Sequence, residues 1–383
     1  MQFREIPGHD ELKLKLCKNV AEGRVSHAQL FSGREGSGAL PLALAFMQYI
    51  SCTARTADDS CGTCPSCLKM SKLIHPDLYM ALPVNQEGST DSLHTTPFLV
   101  KWREAYLKNP WLGLEDWVDV LDIGNKQPFI SAFEAHEIIK ALSLSPVESE
   151  YRFVLIWLPE KMRAEAANRL LKTIEEPPDK TLIILVTKSY DSLLKTILSR
   201  TQLVKVNRLT IPEATSVLQK ITQLDTGRCN LAAEIAQGNV VQARWLLQHG
   251  DEAEAQLDLF RTWMQSCYGF MVPELIRLTD LFAKETREWQ KGFFSYALYI
   301  IRQTLLMNSE ASLAHVTPSE KAFLDKFRKF FHPGNYSIIT EYIDEAVFHA
   351  ERNAHSKILF FDLSLLIADV FRKEKEKAAQ INA

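Results

Sequence analysis

The run Gly33-Arg34-Glu35-Gly36-Ser37-Gly38-Ala39-Leu40 lies between an apolar segment at residues 27–33 and a helical one at residues 41–50. Glycines at this spacing let a buried strand turn tightly into a helix, with backbone N–H groups facing one point, as in a phosphate-binding P-loop. The order of strand, loop and helix points to an α/β domain. In a working loop a lysine reaches the β- and γ-phosphates and a Ser or Thr hydroxyl holds Mg²⁺. Ala39 and Leu40 stand at those two positions and can do neither. Gly33, Gly38, Ala39 and Leu40 therefore read as a degenerate cradle. ATP binding by this chain is not expected, and a subunit of a larger machine fits better than a free-standing enzyme.

Two further apolar runs, residues 152–158 and 181–187, are rich in β-branched and aromatic residues and suit central parallel strands. A shorter strand is expected within residues 75–82. In an active P-loop enzyme the first of the long strands ends in acids that organise Mg²⁺ and water; here Trp157 and Leu158 take those places. Glu160, two residues on, reads as a carboxylate at the start of a helix over 160–176, which Pro177-Pro178 stops. Strands alternating with helices indicate a doubly wound domain over residues 1–206. Within it, residues 84–127 are polar and carry Trp102, Trp111 and Trp117. They read as an insertion with one short helix over 99–107, its tryptophans acting as packing anchors. Beyond Arg208 strand signals disappear, leaving a small helical segment, 207–250, and an all-α segment, 251–383.

Four of the seven cysteines, Cys52, Cys61, Cys64 and Cys67, have the spacing C-x8-C-x2-C-x2-C. Four thiolates suit a structural, tetrahedral zinc, which leaves no open position for chemistry. An iron–sulfur cluster is the rival, and reduced cysteines in a surface loop are the plain alternative. The chain has 383 residues, 44 basic and 47 acidic, for a net charge of −3, so it lacks the basic excess of a self-sufficient DNA binder. It has neither a long uncharged apolar run nor an apolar signal core after Met1, so the expectation is a cytoplasmic protein without membrane association.

The run Ala167-Asn168-Arg169-Leu170-Leu171-Lys172-Thr173-Ile174-Glu175-Glu176-Pro177-Pro178, followed by Leu194-Lys195-Thr196-Ile197-Leu198-Ser199-Arg200-Thr201-Gln202, closely resembles the bacterial clamp loader family of AAA+ proteins. His27-Ala28-Gln29-Leu30-Phe31, the four-cysteine module after the P-loop helix, and His75-Pro76-Asp77 also fall where that family has them. Resemblance is strong over residues 5–82 and 130–206, weaker over the helical remainder, and absent from the insertion. It implies an AAA+ domain with a zinc module, then a helical lid and a helical collar. The chain would sit in a hetero-oligomeric ring with gamma/tau motor subunits and a delta subunit, which uses ATP to load a sliding clamp on primed DNA.

Within the family, intact P-loops and acidic strand ends mark the motor subunits, so this chain resembles the members that let both decay. The family's Ser-Arg-Cys motif matches Ser199 and Arg200, the arginine reaching ATP held by a neighbouring motor subunit. A permanently charged guanidinium suits that task. Thr201 departs from the family's cysteine, and Val241 stands where motor subunits carry a nucleotide-sensing arginine. Arg200 as an ordinary surface ion-pair partner is the plain alternative. A divergent motor ATPase and a zinc-dependent DNA-binding module acting alone are the competing functions.

Overall fold

The computed structural model describes residues 1–381 apart from 87–91, 125, 249, 310–315, 332 and 353. It divides into two compact units, Met1–Trp245 and Leu246–Ala383.

The first unit is built on five parallel strands in the order β2-β3-β4-β1-β5: β1 (Ala28–Ser32), β2 (Leu78–Ala81), β3 (Arg152–Trp157), β4 (Thr181–Thr187) and β5 (Gln202–Lys205). Every residue of β3 and β4 is buried, which is why both read as unbroken apolar runs. At the edge strand β5 only Val204 is buried. Helix α1 (Asp10–Ala21) precedes β1, and the strands are joined by α2 (Ala39–Ser51), α3 (Pro65–Ser71), α4 (Leu99–Lys108), α5 (Leu114–Leu121), α6 (Ala132–Leu142), α7 (Ala164–Glu175) and α8 (Lys195–Leu198). Helix α2 is buried along its whole length, so the glycine loop that precedes it is fixed from below by a helix apolar on all sides. On one face of the sheet, Ile138 and Leu142 of α6 and Leu170 and Ile174 of α7 pack with Leu30, Val154, Ile183 and Leu185.

Helix α7 starts later than the sequence suggests. Glu160 lies in a single 3₁₀ turn, Pro159–Lys161, and the chain then extends so that Arg163 N–H donates to Ile130 O at 3.0 Å and Ile130 N–H donates to Lys161 O at 2.9 Å. This pairing to a distant segment takes backbone groups that a helix from residue 160 would use. The insertion holds a second helix, α5, besides the expected one, and both pack through tryptophan. Trp102 and Trp117 are fully buried, their rings edge to face with centroids 5.1 Å apart.

After β5 the unit closes with α9 (Ile211–Thr222), α10 (Thr226–Ile235) and α11 (Val240–Gln248), the last crossing the unit boundary. The second unit is helical: α12 (Gly250–Gly269), α13 (Val272–Phe282), α14 (Arg287–Ser309), α15 (Pro318–Phe327), α16 (Pro333–Glu351) and α17 (Ser356–Ile381). Its core is aromatic, with Phe282 and Phe360 stacked at 4.3 Å and the buried Trp263 indole N–H donating to Ser364 Oγ at 2.8 Å. Among the described residues no helix is long and apolar enough to cross a membrane.

Candidate functional site

The C-terminal ends of β1, β3 and β4 lie side by side, because Phe31 is in register with Val186 and Trp157 with Val186 from the other side. In open parallel sheets this edge is where ligands sit. The loop from Gly33 to Gly38 closes over it, tied down by Gly33 N–H donating to Thr187 O at 3.2 Å and by His9 Nε2 lying 2.8 Å from Ser37 O. Ala39 and Leu40 begin α2 and are buried, so this chain has apolar side chains where phosphate chemistry needs an ammonium and a hydroxyl.

The strand ends lack acids in the same way. Trp157 is 4% exposed, and its ring centroid lies 4.8 Å from that of Trp102, so it joins the insertion's aromatic cluster. Leu158 follows with a left-handed backbone, φ 56°, and is also buried. The carboxylate two residues further on is taken up by the neighbouring strand. Glu160 Oε2 accepts from the Thr187 hydroxyl at 2.8 Å and Oε1 from Lys188 N–H at 3.3 Å, bracing the end of β3 against that of β4. Burial raises its pKa above the ordinary carboxylate value, against the pull of those hydrogen bonds. Lys188, whose role the sequence did not suggest, turns its ammonium to Glu35 of the glycine loop at 3.6 Å.

The four cysteines converge at the end of α2 and the start of α3. Their sulfur atoms all lie within 4.8 Å of one another, with Cys61 to Cys67 and Cys52 to Cys64 both at 3.9 Å. A tetrahedral zinc with bonds of about 2.3 Å sets its sulfurs roughly 3.8 Å apart, so the donor set and spacing fit a closed metal site. The turn supplies N–H groups to the sulfurs. Thr63 and Cys64 N–H donate to Cys61 Sγ at 3.4 and 3.3 Å and hold the pKa of that thiol down to about 6, whereas burial pushes the Cys52 and Cys67 thiols up. Nearby, His75 and Asp77 are buried and structural. Asp77 accepts N–H bonds from Val147, Glu148 and Ser149 at 2.6–2.8 Å, fixing the loop before β3.

Arg200 lies just beyond α8, at the start of β5, and therefore at the sheet edge opposite the cleft. Its Nε donates to Glu175 Oε2 at 2.7 Å and its Nη1 to Thr196 O at 3.1 Å and Ser199 Oγ at 3.3 Å. The guanidinium is partly exposed. Thr201, at the position of the family's cysteine, turns its hydroxyl back to Ile197 O at 3.1 Å and so keeps the turn closed. The structure thus separates the degenerate cradle from Arg200.

Val241 is on α11, and the charge on that helix comes from Arg244, which pairs with Asp116 of α5. Neither member of that pair stood out in the sequence, because nothing local marks a contact between the insertion and α11.

Residues 8–210 match the model of a family described as DNA polymerase III, delta subunit. The DNA polymerase III subunit delta′ of Bacillus subtilis is 29% identical over 187 residues, 49% of this chain and 44% of that protein. Subunit gamma of Buchnera aphidicola is 25% identical over 252 residues, covering 64% of this chain and 58% of that one. Subunit tau of Bacillus subtilis is 23% identical over 251 residues, 64% and 37% of the two. The chain thus spans 37–58% of the length of these relatives. A DNA polymerase III gamma subunit-related protein of Thermotoga maritima, of known structure, is 15% identical with a TM-score of 0.35, covering 94% of this chain and 99% of that one.

Proposed function

This chain belongs to the DNA polymerase III, delta subunit family of AAA+ clamp-loader proteins, and from that premise we propose that it is a delta-prime-like, non-hydrolysing subunit of the loader. The observation that carries the proposal is the split between its two halves of ATP chemistry. The cleft lacks the lysine, the Mg²⁺ hydroxyl and both acids, while Arg200 stands at the opposite sheet edge, where it cannot serve that cleft. A guanidinium so placed suits a nucleotide held by a neighbour, and there it stabilises charge on the transferring phosphoryl group. Ser199 braces it.

In this reading residues 1–206 form the AAA+ domain, 207–250 the lid and 251–383 the collar. The partners are gamma/tau motor subunits and the delta subunit, with the sliding clamp and primed DNA met through the complex in the cytoplasm. Cys52, Cys61, Cys64 and Cys67 hold a structural zinc that folds the module after α2.

Mixing the chain with its motor subunit, delta, clamp and primed DNA is expected to give DNA-stimulated ATPase. Arg200→Ala is expected to cut that rate by about 10³-fold or more at the affected site, the usual worth of an arginine finger. Co-migration of the subunits stays intact, and an unchanged loader ATPase refutes the role. The second reading, a divergent gamma/tau-like motor, draws support from the gamma and tau relatives, which match longer stretches than delta′ does. ATP turnover by the pure, isolated chain decides for it.

A further inference from the structure

The insertion reaches the glycine loop. Trp111, 7% exposed, lays its ring on Gly38, so close that a methyl group on that glycine would lie 2.8 Å from ring atoms Cη2 and Cζ3. Gly38 has φ 88° and opens α2, so the indole lies against the point where the loop turns into the helix, the end at which a phosphate would be met. Leu114 N–H donates to Glu35 Oε1 at 3.2 Å, and Glu35 also faces Lys188. A carboxylate of the chain and its counter-ion thus occupy the rim of the cradle. Trp111, Gly113, Glu35 and Lys188 line the cleft together with the loop itself.

The same segment is bound to α11. Arg244 pairs with Asp116, and Asp116 Oδ2 in turn accepts Gly113 N–H at 2.7 Å. From the other side α11 meets the loop directly: at Gly36, φ 74°, a methyl group would lie 2.2 Å from Asn239 Oδ1.

We propose that residues 110–113, with Trp111 at their centre, are a resident occupant of the nucleotide cleft, excluding adenine nucleotide and fastening α11 to the glycine loop. The inference rests on the reading of this loop as an emptied nucleotide cradle and goes beyond it. Loss of the lysine and hydroxyl removes chemistry and affinity, whereas the plug removes the room. Restoring the two lost side chains is therefore insufficient.

The test uses the full chain and a fluorescent ADP with Mg²⁺. Ala39→Lys/Leu40→Thr is expected to bind no better than wild type, and adding Trp111→Ala to improve affinity at least tenfold over that double variant. Equal affinity of the double and triple variants, at whatever level, overturns the plug. Hydrogen exchange read on the isosteric Asp116→Asn variant keeps the proposal open to refutation should the triple variant fail to fold. Residues 34–41 and 239–244 are then expected to exchange several-fold faster together, and unchanged protection in both segments overturns the fastening. Neither readout involves Arg200, so failure here and failure of the trans-arginine role are separable.

Discussion

Trp102 should be the most costly single truncation in the insertion. Its ring is fully buried, with centroids 4.8 Å from Trp157, 5.1 Å from Trp117 and 6.2 Å from Tyr106. A buried tryptophan covers about 150–250 Å², worth about 4–6 kcal/mol at ~25 cal/mol per Å² as an upper bound. Truncations of this kind typically cost about 3–5 kcal/mol. Each favourable ring pair adds about 0.5–1.5 kcal/mol, which places Trp102→Ala in the upper half of that range. Trp102→Phe should behave differently. The indole N–H has no hydrogen-bond partner among the described residues, so phenylalanine removes a desolvated donor while keeping an aromatic ring, and the net change stays below about 1.5 kcal/mol. Urea unfolding followed by near-UV circular dichroism reads both. With a slope near ~2.5 kcal/mol per M, the first unit's midpoint falls by about 1.5–2 M for alanine and by less than about 0.6 M for phenylalanine. A drop under about 0.5 M for alanine, or equal drops for the two variants, refutes the packing argument.

Asp77→Ala removes the acceptor of three short backbone bonds and should lower stability by at least about 3 kcal/mol, measured by the same unfolding assay. Burial pushes the Asp77 pKa up, but the N–H groups of Ser149, Val147 and Glu148 outweigh it and hold the group below its ordinary 3.8. The carboxylate's contribution is therefore complete above pH 3.8 and lost as pH falls through the lower folded value, so the wild-type advantage over Asp77→Ala should narrow only in acid. Elemental analysis of protein purified without added metal should find one zinc per chain. Cys64→Ser should lose most of it and expose residues 52–67 to proteolysis, because metal-binding energy there is also folding energy; a brown, iron-containing sample rejects zinc.

The parallel sheet was readable because strands buried on both faces leave unbroken apolar runs, as at 152–157 and 181–187. The cysteine cluster was readable because its four ligands are close in sequence. What escaped was decided by distant partners. Glu160 has the placement of a helix-opening carboxylate, yet the backbone beside it pairs with Ile130 and its carboxylate braces Thr187 and Lys188. Helix α5 buries Leu114, Trp117 and Leu121, a helical spacing present in the sequence but masked by the neighbouring Pro110 and Gly113. That the tryptophans anchor the insertion follows from their chemistry. That one of them lies on Gly38 does not, because no periodicity encodes a contact between an insertion and a glycine loop.

The aromatic residue at 157 links the two losses in the cleft. An aspartate there would place a carboxylate at a position 4% exposed against the Trp102 ring. Burying an ion without a partner costs several kcal/mol, comparable to the whole stability of many domains, about 5–15 kcal/mol. The alternative is a carboxyl kept neutral by its surroundings, which cannot organise Mg²⁺. Returning an acid to the strand end therefore requires dismantling the cluster that seats the insertion, and with it the segment that carries Trp111. Nothing in that chain of dependence reaches Arg200, whose presentation is set by Glu175, Thr196 and Ser199 at the other edge of the sheet. The packing of the cleft and the presentation of the guanidinium thus rest on separate sets of contacts, so on the proposed reading a change in one leaves the other in place.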